Sequence, residues 1–402
     1  LARLDEVHEL TETFFAHSRE APQPSAEAHV FDHAVIDRWH SYPALRSERG
    51  AEIFERLKPD LLARLGEATK PDEALLAFDG FLAGLPAGVL LIDVVSTSPA
   101  LATHLSRNAA VFDAVIGGDF FSEWPGQEGL QKMLTAHLAA ERDYEARLDA
   151  TRRWAREWHF RIGVHLLRGL TDAASAGAQY ADLADAVLGA LWPVVVDQFA
   201  TRHGPPPGRG AVILGMGSLG AGRLTATSDL DMMVIYDPEG EENSDGPRPL
   251  ATRLYFARLT QAMITAMTAP MSQGRLYEVD MRLRPSGNQG PVATSLTSFA
   301  SYQKSKAWVW EHLALTRARV VAGPAALAAD VHALCADILQ SPRDAGDVLR
   351  QVAEMRSRIS AAKAPASAWD AKIGPGRLQD IELFAQAGAL LSGTFAHDIR
   401  GG

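Results

Sequence analysis

Apolar positions recur at three- and four-residue intervals through most of the chain and switch to strict alternation in only a few places. The helical spacing holds at residues 52–58 and 130–148, then again at 154–170 and 180–199. Pro22, Pro24, Pro59, Pro71, Pro99 and Pro125 punctuate the first of these helices. After the Pro-Gly loop at 203–210, a short apolar run at 211–214 reads as a strand, and so does the β-branched, aromatic-ended run at 230–236. Residues 252–268 form an amphipathic helix in which Leu254, Leu259, Met263 and Met267 are expected in a core. Residues 275–284 alternate, with Tyr277, Val279, Met281 and Leu283 on the core side and Glu278, Asp280, Arg282 and Arg284 opposite. Residues 298–319, with Tyr302, Trp308 and Trp310, are expected as an aromatic-rich helix packed on the sheet. From Gly323 the chain is alanine-rich and helical, especially at 348–359, with a break at Ala364-Pro365.

This pattern predicts an α+β fold: a helical region at 1–150, a sheet-bearing domain at 151–322 and a helical domain at 323–402. The acidic, turn-rich stretch 238–247 reads as a solvated loop.

The informative chemistry lies between the first two strands. Gly215-Met-Gly-Ser-Leu-Gly220 is followed by Asp229 and Asp231, whose i, i+2 spacing at a strand start puts both carboxylates on one face, roughly 6.6 Å apart along the strand. Asp280 can join them if its strand lies in the same sheet. Two carboxylates ~4 Å apart repel by about 4 kcal/mol at an effective dielectric near 20, so such a cluster calls for a cation. Mg²⁺ takes oxygen ligands and shares its shell with substrate phosphates, and a pair of ions suits in-line displacement at phosphorus. The chemistry predicted is nucleotidyl transfer. Gly217 and Ser218 would meet the triphosphate, and Arg282 and Arg284 would either neutralise phosphate or pair with Glu278 and Asp280.

Gly215, Gly217 and Gly220 also match a dinucleotide-binding loop, with Asp237 where a ribose-binding acid would stand. That alternative requires a full helix after the loop, and residues 221–228 carry no apolar helical stripe. Taken singly, each aspartate is also compatible with a turn or an ion pair. His29 and His33 have helix-compatible metal spacing but no third ligand, and are read as surface histidines. Walker and nucleophile-elbow sequences do not occur.

Several longer runs extend the motif. Leu-Thr-x-x-Ser-Asp-Leu-Asp ends at Asp231, Tyr277-Glu-Val-Asp-Met-Arg-Leu-Arg-Pro-Ser-Gly287 surrounds Asp280, and Trp310-Glu-His-Leu-Ala-Leu-Thr-Arg-Ala-Arg319 follows. Together with Leu105-Ser-Arg-Asn108, Asp113-Ala-Val115 and Gly376-Arg-Leu-Gln-Asp-Ile-Glu382, these resemble glutamine synthetase adenylyltransferase, a bacterial family of the polymerase β-like nucleotidyltransferase superfamily. The resemblance implies a superfamily sheet with flanking helices, two Mg²⁺ ions held by Asp229, Asp231 and Asp280, and ATP bound near Gly217, Ser218, Ser228 and Arg282. It implies glutamine synthetase as protein substrate, and the PII nitrogen-signal protein and glutamine as regulators. The family is a tandem of two such halves, one attaching AMP to a tyrosine and one removing it by phosphorolysis. Leu224-Thr225 and Trp310-Glu-His312 resemble the attaching, C-terminal half. Removal of AMP, or a helical sensor scaffold with little catalysis, are the alternatives. Where the family usually has lysine, this chain has Ser218. Arg317 or Lys304 reaching the triphosphate is a further expectation.

Net charge of −10 argues against nucleic acid as partner. The apolar runs 85–95 and 186–196 are too short to span a bilayer. No signal peptide is evident, and one cysteine, Cys335, suits a cytoplasmic protein without disulfides. With no initial methionine and a stop at Gly402, the chain reads as a piece of a longer protein.

Overall fold

A computed structural model describes residues 31–42, 45, parts of 54–66, 70–84, and 122–395 except 168, 366, 368 and 369. His29 and the family-like segments at 105–115 lie outside the described residues. The chain divides into two compact units, Leu1–Gly117 and Gly118–Gly402.

In the first unit, helix α1 (His33–Arg38) and helix α2 (Pro71–Gly84) contribute to a small aromatic core. Trp39 is fully buried, with Phe54 and Phe78 edge-on to it. Asp79 collects hydrogen bonds from Arg38, the Trp39 indole and the Tyr42 hydroxyl.

The second unit begins with three helices: α3 (Gly126–Ala139), α4 (Tyr144–Leu167) and α5 (Ala173–His203). Then come β1 (Gly210–Gly215), a single turn α6 (Gly217–Gly220), β2 (Leu230–Asp237) and α7 (Thr252–Thr268). β3 (Val279–Asp280), β4 (Ala293–Ser295), α8 (Leu296–Ser305), α9 (Val309–Leu315) and β5 (Arg319–Ala322) complete the sheet region. Helices α10 (Ala325–Gln340), α11 (Ala345–Ala362) and α12 (Leu378–Ser392) follow. Helix α3 and the start of α4, before residue 150, and the helices after residue 322 belong to the same compact unit as the sheet.

The architecture is α+β, mostly helical around a small mixed sheet of order β3-β2-β1-β5, with β4 also on β2. β1 runs antiparallel to β2 and β5, whereas β3 and β4 run parallel to β2. Period-two alternation gives each face its own core. Ala211, Ile213, Met232, Val234 and Tyr236 pack with α3, α4, α5 and α7. Val212, Leu214, Met233 and Ile235 pack with Phe299, Leu313, Leu327, Val331 and Leu390 from the later helices.

A dinucleotide-binding unit needs parallel strands joined by a helix. Here β1 and β2 are antiparallel and α6 has only 4 residues, which removes that alternative.

Four expectations need correcting. The strand foreseen over 275–284 contains only Val279 and Asp280, because the chain turns immediately afterwards: Asp280 Oδ1 accepts the Arg282 N–H at 2.8 Å, and Arg284 N–H reaches the Met281 carbonyl. Leu283 consequently packs on the opposite core from Met281. Residues 298–319 form two short helices rather than one, since Trp308 starts a new helix whose Glu311 side chain accepts the Trp308 N–H at 2.9 Å. On α7, Leu254 is 42% exposed, and Tyr255 and Phe256 take the core positions. Finally, α5 extends well beyond the apolar run at 186–196. It is long and apolar enough to cross a bilayer by length and composition, but Leu183, Val187, Leu188 and Leu191 are fully buried in the protein core.

Candidate active site

The site is built where β1 ends and β2 begins. Gly217 starts the turn α6 with φ +54°, a left-handed conformation suited to glycine. A Cβ there would overlap the Asp231 carboxylate and lie 3.0 Å from its Cγ, so this glycine lets the carboxylate press against the main chain. Gly220 is equally constrained: a Cβ would overlap the Arg317 carbonyl and lie 2.6 Å from the Gly215 carbonyl. The Met216 N–H donates to the Asp231 carbonyl at 2.8 Å, tying the turn to β2. The first N–H groups of any helical turn have no partner within it, and here they belong to Gly217 and Ser218.

β3 lies parallel to β2 with Leu230 opposite Val279 and Asp231 opposite Asp280. In-register neighbours point to the same face, so Asp280 stands beside Asp231. Asp229 is exposed just before β2, and it adds to the negative surroundings of Asp231. Burial pushes the Asp231 carboxyl up to about 6; Asp280 and Asp229 add to the rise, and Arg317 and Arg282 oppose it. Asp280 goes the other way. Hydrogen bonds from the Arg282 side chain, Nε at 2.7 Å and Nη2 to the same oxygen, hold it below the ordinary carboxylate range.

The remaining site candidates have definite places. Ser228 Oγ accepts the Thr225 N–H at 2.9 Å and closes the turn that leads into β2. Arg282 pairs with Asp280, while Glu278 pairs with Arg275. Arg284 donates to the Met281 and Gly290 carbonyls and so shapes the turn after β3. Lys304 pairs with Asp337 on α10 at 2.8 Å.

A match to known proteins accompanies this geometry. The family model described as glutamate-ammonia ligase adenylyltransferase matches residues 89–333. The chain belongs to the glutamate-ammonia ligase adenylyltransferase family. It is 42% identical over 373 residues to the bifunctional glutamine synthetase adenylyltransferase/adenylyl-removing enzyme of Mesorhizobium japonicum, covering 89% of this chain and 38% of that protein. The same identity and coverage hold for the Brucella melitensis protein of that description. The Rhizobium meliloti protein is 41% identical over 375 residues, again covering 89% and 38%. The chain thus spans about two fifths of the length of the curated relatives it matches.

The adenylyltransferase description of the matching family raises the question of a divalent metal. Among the described residues, no three His, Cys, Asp or Glu side chains close around a common point suited to a metal ion. The donor chemistry fits Mg²⁺: the candidates are all carboxylate oxygens, the ligand type that ion takes. The Arg282 backbone N–H and Nε donate to the two oxygens of Asp280.

Two arginines next to the glycine turn have partners that sequence spacing leaves hidden. Arg319 donates to the Leu219 carbonyl at 3.0 Å and pairs with the buried Asp185 of α5 at 2.7 Å, bracing the glycine turn from beneath. Arg317 donates to Glu382 of α12 at 3.2 Å. The stretch 376–382 carried a family signal, but only folding brings it to Arg317.

Proposed function

We propose that this chain is a nucleotidyltransferase with the polymerase β-like superfamily fold, transferring AMP from ATP to a tyrosine of glutamine synthetase in the cytoplasm. The observation that carries this reading is the in-register pairing of Asp231 with Asp280 beside Gly217, within a chain of this family.

In this reading Asp229, Asp231 and Asp280 would hold two Mg²⁺ ions, which would supply positive charge to offset the negative charge developing on the reacting phosphate. Gly217 allows the triphosphate to approach the main chain, where the N–H groups of Gly217 and Ser218 and the Ser218 hydroxyl donate to it. Ser228 keeps its loop folded at the edge of the nucleotide. Arg282 exchanges Asp280 for phosphate oxygens. It is suited to this exchange because its side chain is 75% exposed and its tie to Asp280 is local. The tyrosine oxygen bonds to the α-phosphorus as the α–β phosphoanhydride bond breaks, the phenolic proton passes to solvent, pyrophosphate leaves, and the tyrosine carries AMP.

The relatives are described as bifunctional, which supports phosphorolytic removal of AMP as a second reading. One experiment separates the two. Glutamine synthetase is incubated with this protein, Mg²⁺ and ATP, and its adenylylated form with Mg²⁺ and phosphate, followed by intact mass. Gain of one AMP group in the first mixture is the expected result; loss of AMP with ADP release only in the second assigns removal instead. PII protein and glutamine are the proposed regulators, with residues 1–150 as the helical region that receives them. A pull-down with PII that needs residues 1–150 and ignores Asp229→Asn, in a protein transferring no AMP, would favour a sensor scaffold.

A further inference from the structure

The glycine turn 215–220 contains no basic residue, so a bound triphosphate must find positive charge elsewhere. Two arginines stand at the borders of the turn: Arg282, bonded to Asp280 after β3, and Arg317, whose carbonyl lies against Gly220. They are held very differently. Arg282 is largely exposed and tied only to Asp280, two residues away. The Arg317 side chain is only 21% exposed, and it is fixed at both ends.

Its main chain lies in the bend between α9 and β5, with its carbonyl seated against Gly220 of the turn. Its side chain is held from α12. Nη1 donates to Glu382 Oε1 at 3.2 Å. With the Gln386 amide oriented to suit its surroundings, that oxygen accepts from Nε at 2.8 Å and Nη2 at 2.9 Å. Glu382 and Gln386 are i, i+4 on α12 and therefore share one face. A guanidinium has five N–H donors, and these bonds use three, leaving one on each terminal nitrogen. The pair with Glu382 is partly exposed, at 21% and 35%, so it contributes little to stability.

The geometry points to Arg317 as a phosphate-binding residue of the nucleotide site, with Glu382 and Gln386 as positioning residues that hold it from the last helix. This rests on the nucleotidyl-transfer reading above, and it makes α12 part of the site. The planar, bidentate guanidinium suits phosphate oxygens, and fixing it in advance removes the entropic cost of ordering a long side chain on binding.

The test uses the whole chain with Mg²⁺, titrated calorimetrically with a non-hydrolysable ATP analogue and separately with AMP. The ratio of the two affinities isolates contacts to the triphosphate. R317A is expected to lower that ratio about ten- to hundredfold, as for loss of a charged hydrogen bond. E382Q is expected to lower it about threefold or more with an unchanged melting temperature, because the pair it breaks is worth little to the fold. Unchanged ratios in both variants overturn the inference, as does tighter analogue binding by E382Q, which would mean that Glu382 holds Arg317 away from nucleotide. If R317A does not fold, R317K and E382Q carry the test, and wild-type ratios in both overturn it. A wild-type protein that binds no analogue removes the nucleotidyl-transfer reading together with this one. Wild-type binding and AMP transfer that R317A and E382Q leave intact remove this inference alone.

Discussion

The carboxylate of Asp231 lies against the α-carbon of Gly217, in the space that any side chain at position 217 would need. The turn and the strand are therefore shaped to each other, and the conformation at Gly217, φ +54°, adds a second reason for glycine. Gly217→Ala is expected to abolish AMP transfer and to destabilise the protein by about 2 kcal/mol or more, combining backbone strain with the collision. Gly222→Ala is the control. It has a similar φ of +64° with no atom near its Cβ, so it should cost only about 1 kcal/mol. Thermal unfolding and a transfer assay on both variants check this, and equal behaviour of the two would remove the role of the Asp231 contact.

Asp231→Asn, Asp229→Asn and Asp280→Asn are each expected to reduce AMP transfer to background while leaving the fold intact. Asp231→Asn removes a partly buried charge crowded by two other carboxylates, so its melting temperature should equal or exceed that of the wild type. Intact-mass measurement of glutamine synthetase gives the first readout and calorimetry the second. Transfer at the wild-type level by any of the three would refute its assignment.

Asp185 supplies a pH dependence away from the candidate carboxylates of the site. It is buried on α5, its Oδ1 has no partner among the described residues, and burial pushes its carboxyl up to about 6 from 3.8. A folded value above the unfolded one means that the folded state holds the proton more tightly. The resulting contribution to stability is fully present below about pH 4 and is lost as pH rises through about 6. Asp185→Asn cannot titrate, so between pH 4 and 7 the wild type should lose stability relative to the variant by at most about 3 kcal/mol. Denaturant unfolding across that range tests the slope; a constant difference would contradict it.

On α7, the exposed Leu254 and the fully buried Met263 should respond oppositely to truncation. Leu254→Ser is expected to change stability by less than about 0.5 kcal/mol. Met263→Ala should cost about 2–5 kcal/mol through the cavity it leaves. Urea unfolding of the two variants distinguishes these outcomes.

Much of this protein was legible from local pattern alone. A glycine loop followed by Asp229 and Asp231 at a strand start specifies a turn and two neighbouring acidic side chains, because strand periodicity operates within a few residues. The apolar face of α7 and the apolar run of β2 are local in the same sense, and they recovered Leu259, Met263 and the strand itself; that the two faces of β2 meet separate cores came only with the fold. The family runs around Asp280 and Trp310 added the resemblance to glutamine synthetase adenylyltransferase. Leu254 was misplaced because helical spacing defines a stripe but not which edge of it the neighbouring helices cover.

Contacts between distant segments were decided only by the tertiary structure. Alternation at 275–284 implied a long strand, yet the Asp280 side chain captures the Arg282 backbone and ends β3 after two residues. The parallel register that sets Asp280 beside Asp231 follows from how the chain crosses between β2 and β3, which no spacing encodes. Arg317 meets Glu382 across 65 residues and Arg319 meets Asp185 across about twice that separation, so neither pair leaves a periodic trace. Local sequence determines which side chains each element presents; the packing of whole elements determines which of them share a site.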